Sequence, residues 1–272
     1  MKTEAEPQFS LQGLLQTMQS VAVAVSGGVD SLSLATAAHR TPGVDCQMFH
    51  AVSPAVPPQA TARVERLAQQ EGWSLIIFDA GEFADPRYRD NPVDRCYYCK
   101  SGLYGSIAQQ TGAQIISGAN TDDLSDYRPG LQAASEHAVR HPYIEAGMGK
   151  DEVRALARQL GLDEIASLPA SPCLASRVQT GLPINRQQLH KINQTELYVA
   201  EQLRPHTVRC RVKPREVEIQ LDSATLDRLS RVQEHALRAH IGETFGFASH
   251  QVRFDAYAMG SAFLTGNPHE TR

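Results

Sequence analysis

Three cysteines are the first candidates for chemistry in this sequence. Cys96 and Cys99 form a Cys-Tyr-Tyr-Cys pair, and five cysteines in a chain of 272 residues do not make a disulfide scaffold. The pair therefore indicates metal binding or redox chemistry. Cys173 follows Pro172, whose neighbourhood favours extended backbone, and Arg177 would favour the reactive thiolate of Cys173. A buried structural cysteine is the alternative for Cys173.

One aspartate stands in a glycine-rich turn that is suited to an anion. The segment Ser26–Ser31 reads Ser-Gly-Gly-Val-Asp-Ser and joins the short apolar run Val21–Val25 to a pattern of helical spacing. Paired glycines let the backbone approach a ligand, and free N–H groups at a helix start bind anions. A carboxylate beside a phosphate makes sense if it binds Mg²⁺, so Asp30 is a candidate magnesium ligand. A plain strand-to-helix turn would explain the glycines but not the serines and the aspartate.

Polar residues also follow two other predicted strands. They are His50 and Ser53 at the end of the second strand, and Gly118, Asp122, Asp126 and Arg128 after the fourth. Ligands of parallel α/β sheets bind at the carboxyl ends of strands, so His50 and Ser53 could border an adenosine pocket. Loops placed at strand ends, such as the one that holds the later group, commonly carry function. A bystander role explains His50 equally well, and an acidic surface loop ended by Pro-Gly is the alternative for the later group.

Strands and helices alternate along the first two thirds of the chain, which predicts a doubly wound parallel α/β sheet. Strands are expected over residues 44–52, 74–80, 113–117, 216–219 and 251–257, and helices over 9–19, 61–71, 186–203 and 225–240. Residues 81–94 are expected to form a loop that leads to Cys96. A composition shift near Pro183 predicts one domain over 1–183 and a smaller α+β domain over 184–272.

Four cations alternate with other residues in the second domain. They are Arg209, Arg211, Lys213 and Arg215, and a period of two places them on one face of a strand. Like charges in a row repel each other unless an anion offsets them, so phosphate binding and a solvated basic face remain open alternatives.

Charge and hydropathy limit the classes of partner. The net charge is −4, and residues 186–272 hold 12 Lys and Arg against 10 Asp and Glu, so nucleic acid is not an expected partner. No run approaches eighteen apolar residues, and the beginning of the sequence lacks the apolar core of a signal peptide. A cytoplasmic protein without a membrane partner is the expectation.

With these residues assembled, Ser26–Ser31 resembles the PP-loop of ATP pyrophosphatases, which hold pyrophosphate as a leaving group during adenylylation. Over almost its full length the chain resembles the LarE family of ATP-dependent sulfur transferases, which make the nickel-pincer nucleotide cofactor. The further segments that carry this resemblance are residues 91–96, the Asp-Asp-Leu-Ser-Asp-Tyr-Arg-Pro-Gly run over 122–130, and the Cys-Leu-Ala-Ser-Arg run over 173–177.

The resemblance implies a two-stage reaction. Mg-ATP adenylylates a carboxylate of pyridinium-3,5-biscarboxylic acid mononucleotide, and sulfur then replaces AMP to give a thiocarboxylate. In one branch of the family a single cysteine, matching Cys173, gives up its own sulfur. In the other branch three cysteines hold an iron–sulfur cluster that carries an extra sulfide. Because Cys96, Cys99 and Cys173 are all present, the resemblance favours a [4Fe-4S] cluster with one iron left open.

The resemblance also assigns roles to individual residues and implies a hexamer. Asp30 and Cys173 are the expected catalytic residues. The residues expected to bind Mg-ATP are Ser26, Gly27, Gly28, Val29, Asp30, Ser31, His50, Ser53, Gly118, Asp122, Asp126 and Arg128. Those expected to bind the substrate phosphate are Arg177, Arg209, Arg211 and Glu218.

The sequence departs from the family pattern at three positions. Leu32 replaces a hydroxyl residue of the PP-loop, Glu216 stands where an arginine is usual, and Met259 stands where a late arginine is usual. The acceptor is therefore less defined than the sulfur chemistry. A PP-loop tRNA thiolase, an amide-forming PP-loop ligase and a nucleotide- or metal-sensing module are the competing interpretations.

Overall fold

The computed structural model describes residues 10–124 and 128–258. The chain divides into two compact units, one of Met1–Asp85 with Cys96–Ser171 and the other of Pro86–Arg95 with Pro172–Arg272. Most of the second unit thus comes from the part of the chain after Ser171, and the short segment Pro86–Arg95 is added to it. The division into domains at residue 183 stays a prediction.

The two units contain α-helices, short 3-10 helices and seven β-strands in the described residues. The α-helices are α1 Leu11–Met18, α2 Val29–Arg40, α3 Pro58–Glu71, α4 Pro86–Arg89, α5 Arg95–Ala108, α6 Pro129–Glu136, α7 Pro142–Glu145, α8 Lys150–Gln159, α9 Asp163–Ala166, α10 Arg186–Leu203, α11 Ser223–Asp227 and α12 Arg231–Phe245. The strands are β1 Ser20–Ala24, β2 Asp45–Ala51, β3 Ser74–Phe78, β4 Gln114–Ser117, β5 Val208–Val212, β6 Val217–Leu221 and β7 Val252–Ala256. The 3-10 helices are Glu82–Ala84, Thr121–Leu124, Leu174–Arg177 and Ser249–Gln251.

The first unit is built on a four-stranded parallel sheet of order β3-β2-β1-β4. Successive side chains of β1 point to opposite faces, as a strand requires. Val21 and Val23 pack in an apolar cluster with residues of α2, α3 and α8. Ala22 and Ala24 pack in a second cluster with residues of α5 and α6. This arrangement confirms the predicted doubly wound α/β sheet.

Two local predictions are corrected by the structure. The expected loop over 81–94 contains α4, and Cys96 lies in the first turn of α5 rather than at the end of a loop. The helix expected over 225–240 is two helices, α11 and α12. A new helix begins after Ser230 because the Ser230 hydroxyl accepts a hydrogen bond from the N–H of Gln233 and so caps the start of α12.

The second unit contains the three-stranded sheet β5-β6-β7, in which β5 and β6 are antiparallel and β7 is parallel to β6. The Asn91 side chain donates to the carbonyl oxygens of Gln179 and Leu182 at 2.9 Å each, which joins the segment around α4 to this unit. The smaller α+β unit is as predicted. Across the described ranges, every helix is too short or too polar to cross a membrane.

The basic strand is shorter than predicted. β5 ends at Val212, so Lys213 and Arg215 lie outside it. The reason is a tight turn, in which the N–H of Lys213 donates to the carbonyl oxygen of Glu216 at 3.0 Å. Arg209 and Arg211 do lie on β5, and both are buried rather than solvated.

Candidate functional site

The segment Ser26–Ser31 joins the carboxyl end of β1 to the first turn of α2. Its own side chains brace it, since Ser31 Oγ accepts from the Ser26 N–H at 3.0 Å and donates to the Gly28 carbonyl oxygen at 3.2 Å. Gly28 is the N-cap residue of α2 and has no side chain to cap the first N–H groups. The helix start therefore offers backbone donors to an anion.

Gly27 and Gly118 are required by close contacts at this segment. Gly27 has a φ of +83°, and a Cβ there would lie 2.7 Å from the Ala60 carbonyl oxygen. A Cβ on Gly118 would lie 2.8 Å from the backbone carbon of Asp30. The chain leaving β4 thus crosses the segment backbone against backbone, which only glycine permits. Leu32, in contrast, is fully buried in the apolar cluster, so its side chain serves packing.

Asp30 is held at the meeting point of three elements. Its carboxylate accepts from Lys150 Nζ at 2.5 and 2.7 Å and from Asn120 Nδ2 at 3.3 Å. The Tyr143 hydroxyl donates to the Asp30 carbonyl oxygen at 3.2 Å. The Asp30 side chain keeps 28% of its surface exposed. Its oxygens are therefore both ordered and accessible.

Lys150 is a site residue that the sequence interpretation missed. It is the first residue of α8, and its N–H donates to Asp122 Oδ2 at 3.1 Å. A cation at a helix N-terminus opposes the helix dipole, so an acidic partner elsewhere in the chain was to be expected. The available signal in the sequence was the Gly149-Lys150 pair, which begins α8.

The other predicted site residues after β4 do not all lie beside Asp30. Asp123 accepts from the Asn120 N–H at 3.1 Å and forms an ion pair with the exposed Arg128 at 2.9 Å. Asp126 lies outside the described residues, as does Met259. The structure therefore places Gly118 and Asp122 beside Asp30 and Lys150, whereas Arg128 turns to Asp123.

His50 lies at the end of β2 and is completely buried. Its Nδ1 is 2.8 Å from the Val25 carbonyl oxygen, and its Nε2 is 2.9 Å from Thr61 Oγ1. Because the carbonyl oxygen can only accept, Nδ1 carries the proton and Nε2 accepts from the Thr61 hydroxyl. Burial lowers the pKa of His50, which agrees with this neutral form. Ser53 Oγ accepts from the Ala55 N–H at 3.2 Å. Both nitrogens of His50 are thus engaged within the protein, which favours the bystander role, and the adenosine role stays a prediction.

Cys96 and Cys99 lie three residues apart on α5, so they share one face of the helix, and both are partly exposed. Cys173 is exposed and caps the 3-10 helix Leu174–Arg177. Burial raises the pKa of Cys46 to about 11, and burial also raises that of Cys210 well above its usual range. These two thiols are therefore poor sources of thiolate. Within the described ranges, no three His, Cys, Asp or Glu side chains form a group that could hold a metal ion.

Arg177 fixes the segment that carries Cys173. Its guanidinium donates to both oxygens of Glu196 at 2.9 and 3.0 Å, and to the carbonyl oxygens of Pro172 and Cys173 at 2.5 and 3.3 Å. Arg211 donates to the carbonyl oxygen of Ser176 at 2.9 Å. Two buried arginines thereby hold both sides of the Cys173 turn.

The buried arginines form a positive cluster in the second unit. Burial lowers the pKa of both Arg209 and Arg211, and the charge of Arg177 lowers both further. Glu196 is the carboxylate that faces this cluster, whereas Glu218 accepts from Lys213 and from Gln220 Nε2. In the described part of the second unit, the guanidinium groups of Arg177, Arg209 and Arg211 are all buried, and such a grouping of positive charge favours the binding of an anion.

Known proteins similar to this chain include a mononucleotide synthase, a probable tRNA sulfurtransferase and an uncharacterised protein. The chain is 34% identical to an uncharacterised protein of Synechocystis, over 88% of this chain and 90% of that protein. It is 30% identical to pyridinium-3,5-bisthiocarboxylic acid mononucleotide synthase of Lactiplantibacillus plantarum, over 83% of each. It is 26% identical to a probable tRNA sulfurtransferase of Methanothermobacter thermautotrophicus, over 58% of this chain and 44% of that protein. No family model matches the chain.

Proposed function

Because this chain belongs to the LarE family of PP-loop sulfurtransferases, we propose that it adenylylates a carboxylate of pyridinium-3,5-biscarboxylic acid mononucleotide and converts it to a thiocarboxylate. The observation that carries the proposal is the meeting of Asp30, Asn120 and Lys150 at the glycine-rich segment. The relative whose name gives the bisthiocarboxylated mononucleotide as its product supports the choice of acceptor.

In the activation step, a carboxylate oxygen of the acceptor attacks the α-phosphorus of ATP. A new P–O bond forms to the acyl group, and the bond to the bridging oxygen breaks, so that pyrophosphate leaves with the electron pair. The N–H groups at the start of α2 and the Lys150 ammonium stabilise the phosphate charge. Asp30 fits Mg²⁺ because it presents ordered and accessible carboxylate oxygens, the ligands that Mg²⁺ prefers. When bound there, Mg²⁺ would neutralise charge on the phosphates.

In the sulfur step, Cys96, Cys99 and Cys173 would hold a [4Fe-4S] cluster, as the family resemblance implies. All three side chains are at least partly exposed, and thiolates are the usual ligands of such clusters. A cluster held by three thiolates would supply the sulfide that replaces AMP. Arg177 and Arg211 keep Cys173 at a fixed position by holding the backbone on both sides of it.

The phosphate of the acceptor binds at the buried arginine cluster. A phosphate monoester offsets the excess charge of Arg177, Arg209 and Arg211, which is costly to keep buried without an anion. Glu218 acts indirectly, by holding Gln220, which in turn accepts from Arg211 Nε at 3.1 Å. Assembly into a hexamer is part of the proposal by family resemblance, and light scattering of the purified chain tests it.

A tRNA acceptor is the second candidate, because a probable tRNA sulfurtransferase is among the similar proteins. The experiment compares the two acceptors in anaerobic reactions with Mg-ATP and a sulfide source. We expect pyrophosphate release and a thiolated product with the pyridinium mononucleotide. Thiolation of tRNA alone, with binding that weakens steeply as salt rises, would replace our proposal by the second candidate.

A further inference from the structure

Helix α3 brings an arginine to the glycine-rich segment. Arg63 Nε donates to the carbonyl oxygen of Gly27 at 2.8 Å. Ala60 lies one turn earlier on α3, and its carbonyl oxygen is so near Gly27 that only glycine fits there. The first half of α3 thus forms one wall of the segment that we assign to the phosphates.

Within the described residues, Arg63 differs from several other arginines in having no acidic partner. Arg40 pairs with Glu71, and Arg140 pairs with Glu145. In the part of the chain that the structure describes, the hydrogen bond to Gly27 is the contact that holds the half-buried Arg63 guanidinium. Burial lowers the pKa of Arg63, and the charge of Arg66 lowers it further, with no carboxylate acting in the opposite direction.

A partly buried cation without a counter-charge is unfavourable unless an anion binds beside it. The guanidinium is planar, so the bond from Nε to Gly27 also fixes the plane of its four remaining N–H donors. Those donors match the oxygens of a phosphate better than any single point charge does. The chemistry required at this position is therefore that of a phosphate chain.

We propose that Arg63 is a further catalytic residue, whose terminal N–H groups bind the pyrophosphate leaving group of ATP. The inference rests on the proposed adenylylation, and it assigns the stabilisation of the departing phosphates to α3 in addition to α2 and Lys150. As the bond to the α-phosphorus breaks, negative charge grows on the leaving oxygen, and a fixed guanidinium beside it lowers the barrier.

The test measures binding of pyrophosphate and of AMP, each with Mg²⁺, by isothermal titration calorimetry. The variants are Arg63→Gln, Arg63→Lys and the control Arg66→Gln, which removes an exposed arginine one turn further along α3. We expect Arg63→Gln to weaken pyrophosphate binding about ten- to hundredfold, as loss of hydrogen bonds to a charged group predicts. AMP binding should change less than about twofold, Arg63→Lys should recover part of the loss, and Arg66→Gln should bind as the unaltered chain does.

Equal weakening of pyrophosphate and AMP in Arg63→Gln would overturn the inference, because it would mean that Arg63 only shapes the segment through Gly27. Unchanged pyrophosphate binding in that variant, or no pyrophosphate binding by the unaltered chain, would overturn it as well. Failure of the unaltered chain to release pyrophosphate with the pyridinium acceptor would instead contradict the proposed function, since the binding measurements need no turnover.

Discussion

Replacement of Lys150 by methionine is the perturbation that tests the active-site geometry most sharply. In the unaltered chain the Lys150 ammonium lies 2.5 and 2.7 Å from the two carboxylate oxygens of Asp30. Methionine keeps much of the apolar stem but removes the charge and the hydrogen bonds. Asp30 would then keep one side-chain partner, Asn120, at 3.3 Å.

The effect on stability should be small. Both side chains keep more than a quarter of their surface exposed, so the pair is screened by solvent. An ion pair of this kind contributes about 1 kcal/mol or less to the free energy of unfolding. A double-mutant cycle of Lys150→Met, Asp30→Asn and the combined variant, followed by urea unfolding, measures this coupling directly.

The effect on catalysis should be much larger. If Lys150 stabilises phosphate charge in the transition state, its loss should lower kcat for pyrophosphate release about 100- to 1000-fold. The matched control is Arg158→Met, which removes an exposed cation from the same helix. A Lys150→Met variant that releases pyrophosphate at the rate of the Arg158→Met control would refute the assignment of Lys150 to the site.

Three further predictions use other parts of the structure. Cys173→Ser should abolish thiocarboxylate formation while pyrophosphate release continues, and a thiolated product from that variant, detected by mass spectrometry, would contradict the sulfur role. Gly118→Ala should disable pyrophosphate release, because the added Cβ would lie 2.8 Å from the backbone carbon of Asp30, and full activity would argue against the close crossing at that point. Burial lowers the pKa of His50 and His141. Since their folded-state pKa values lie below the unfolded value of 6.5, the free energy of unfolding should fall as pH drops below about 6.5, and urea titrations between pH 5 and 8 that show no such fall would contradict it.

The sequence was sufficient where a local pattern decides the structure. The segment Ser26–Ser31 was predicted to join a strand to a helix, because a short β-branched run precedes it and helical spacing follows it. Helix α10 has the predicted bounds, since Asn185 caps its start and its apolar residues recur regularly. Apart from the basic strand, which ends three residues earlier than predicted, the strand bounds differ from prediction by one or two residues at the ends.

The sequence was insufficient where distant residues meet. The pairing of Asp30 with Lys150 joins residues from the start of α2 and of α8, and no local pattern relates them. The burial of Arg209 and Arg211 was not foreseen either, because a period of two tells which residues share a face but not what covers that face. No sequence pattern marks Arg63, and only the contact between α3 and Gly27 in the structure draws attention to it.

The central claim is that this chain transfers sulfur to an ATP-activated carboxylate, and one anaerobic experiment tests it most directly. The purified chain is incubated with Mg-ATP, a sulfide source and pyridinium-3,5-biscarboxylic acid mononucleotide, and then iron content, product mass and intact protein mass are measured together. We predict about four irons per chain, a thiocarboxylate product and a Cys173 of unchanged mass. An iron-free protein whose Cys173 has lost its sulfur would contradict the cluster, and release of pyrophosphate without any thiolated product would contradict sulfur transfer itself.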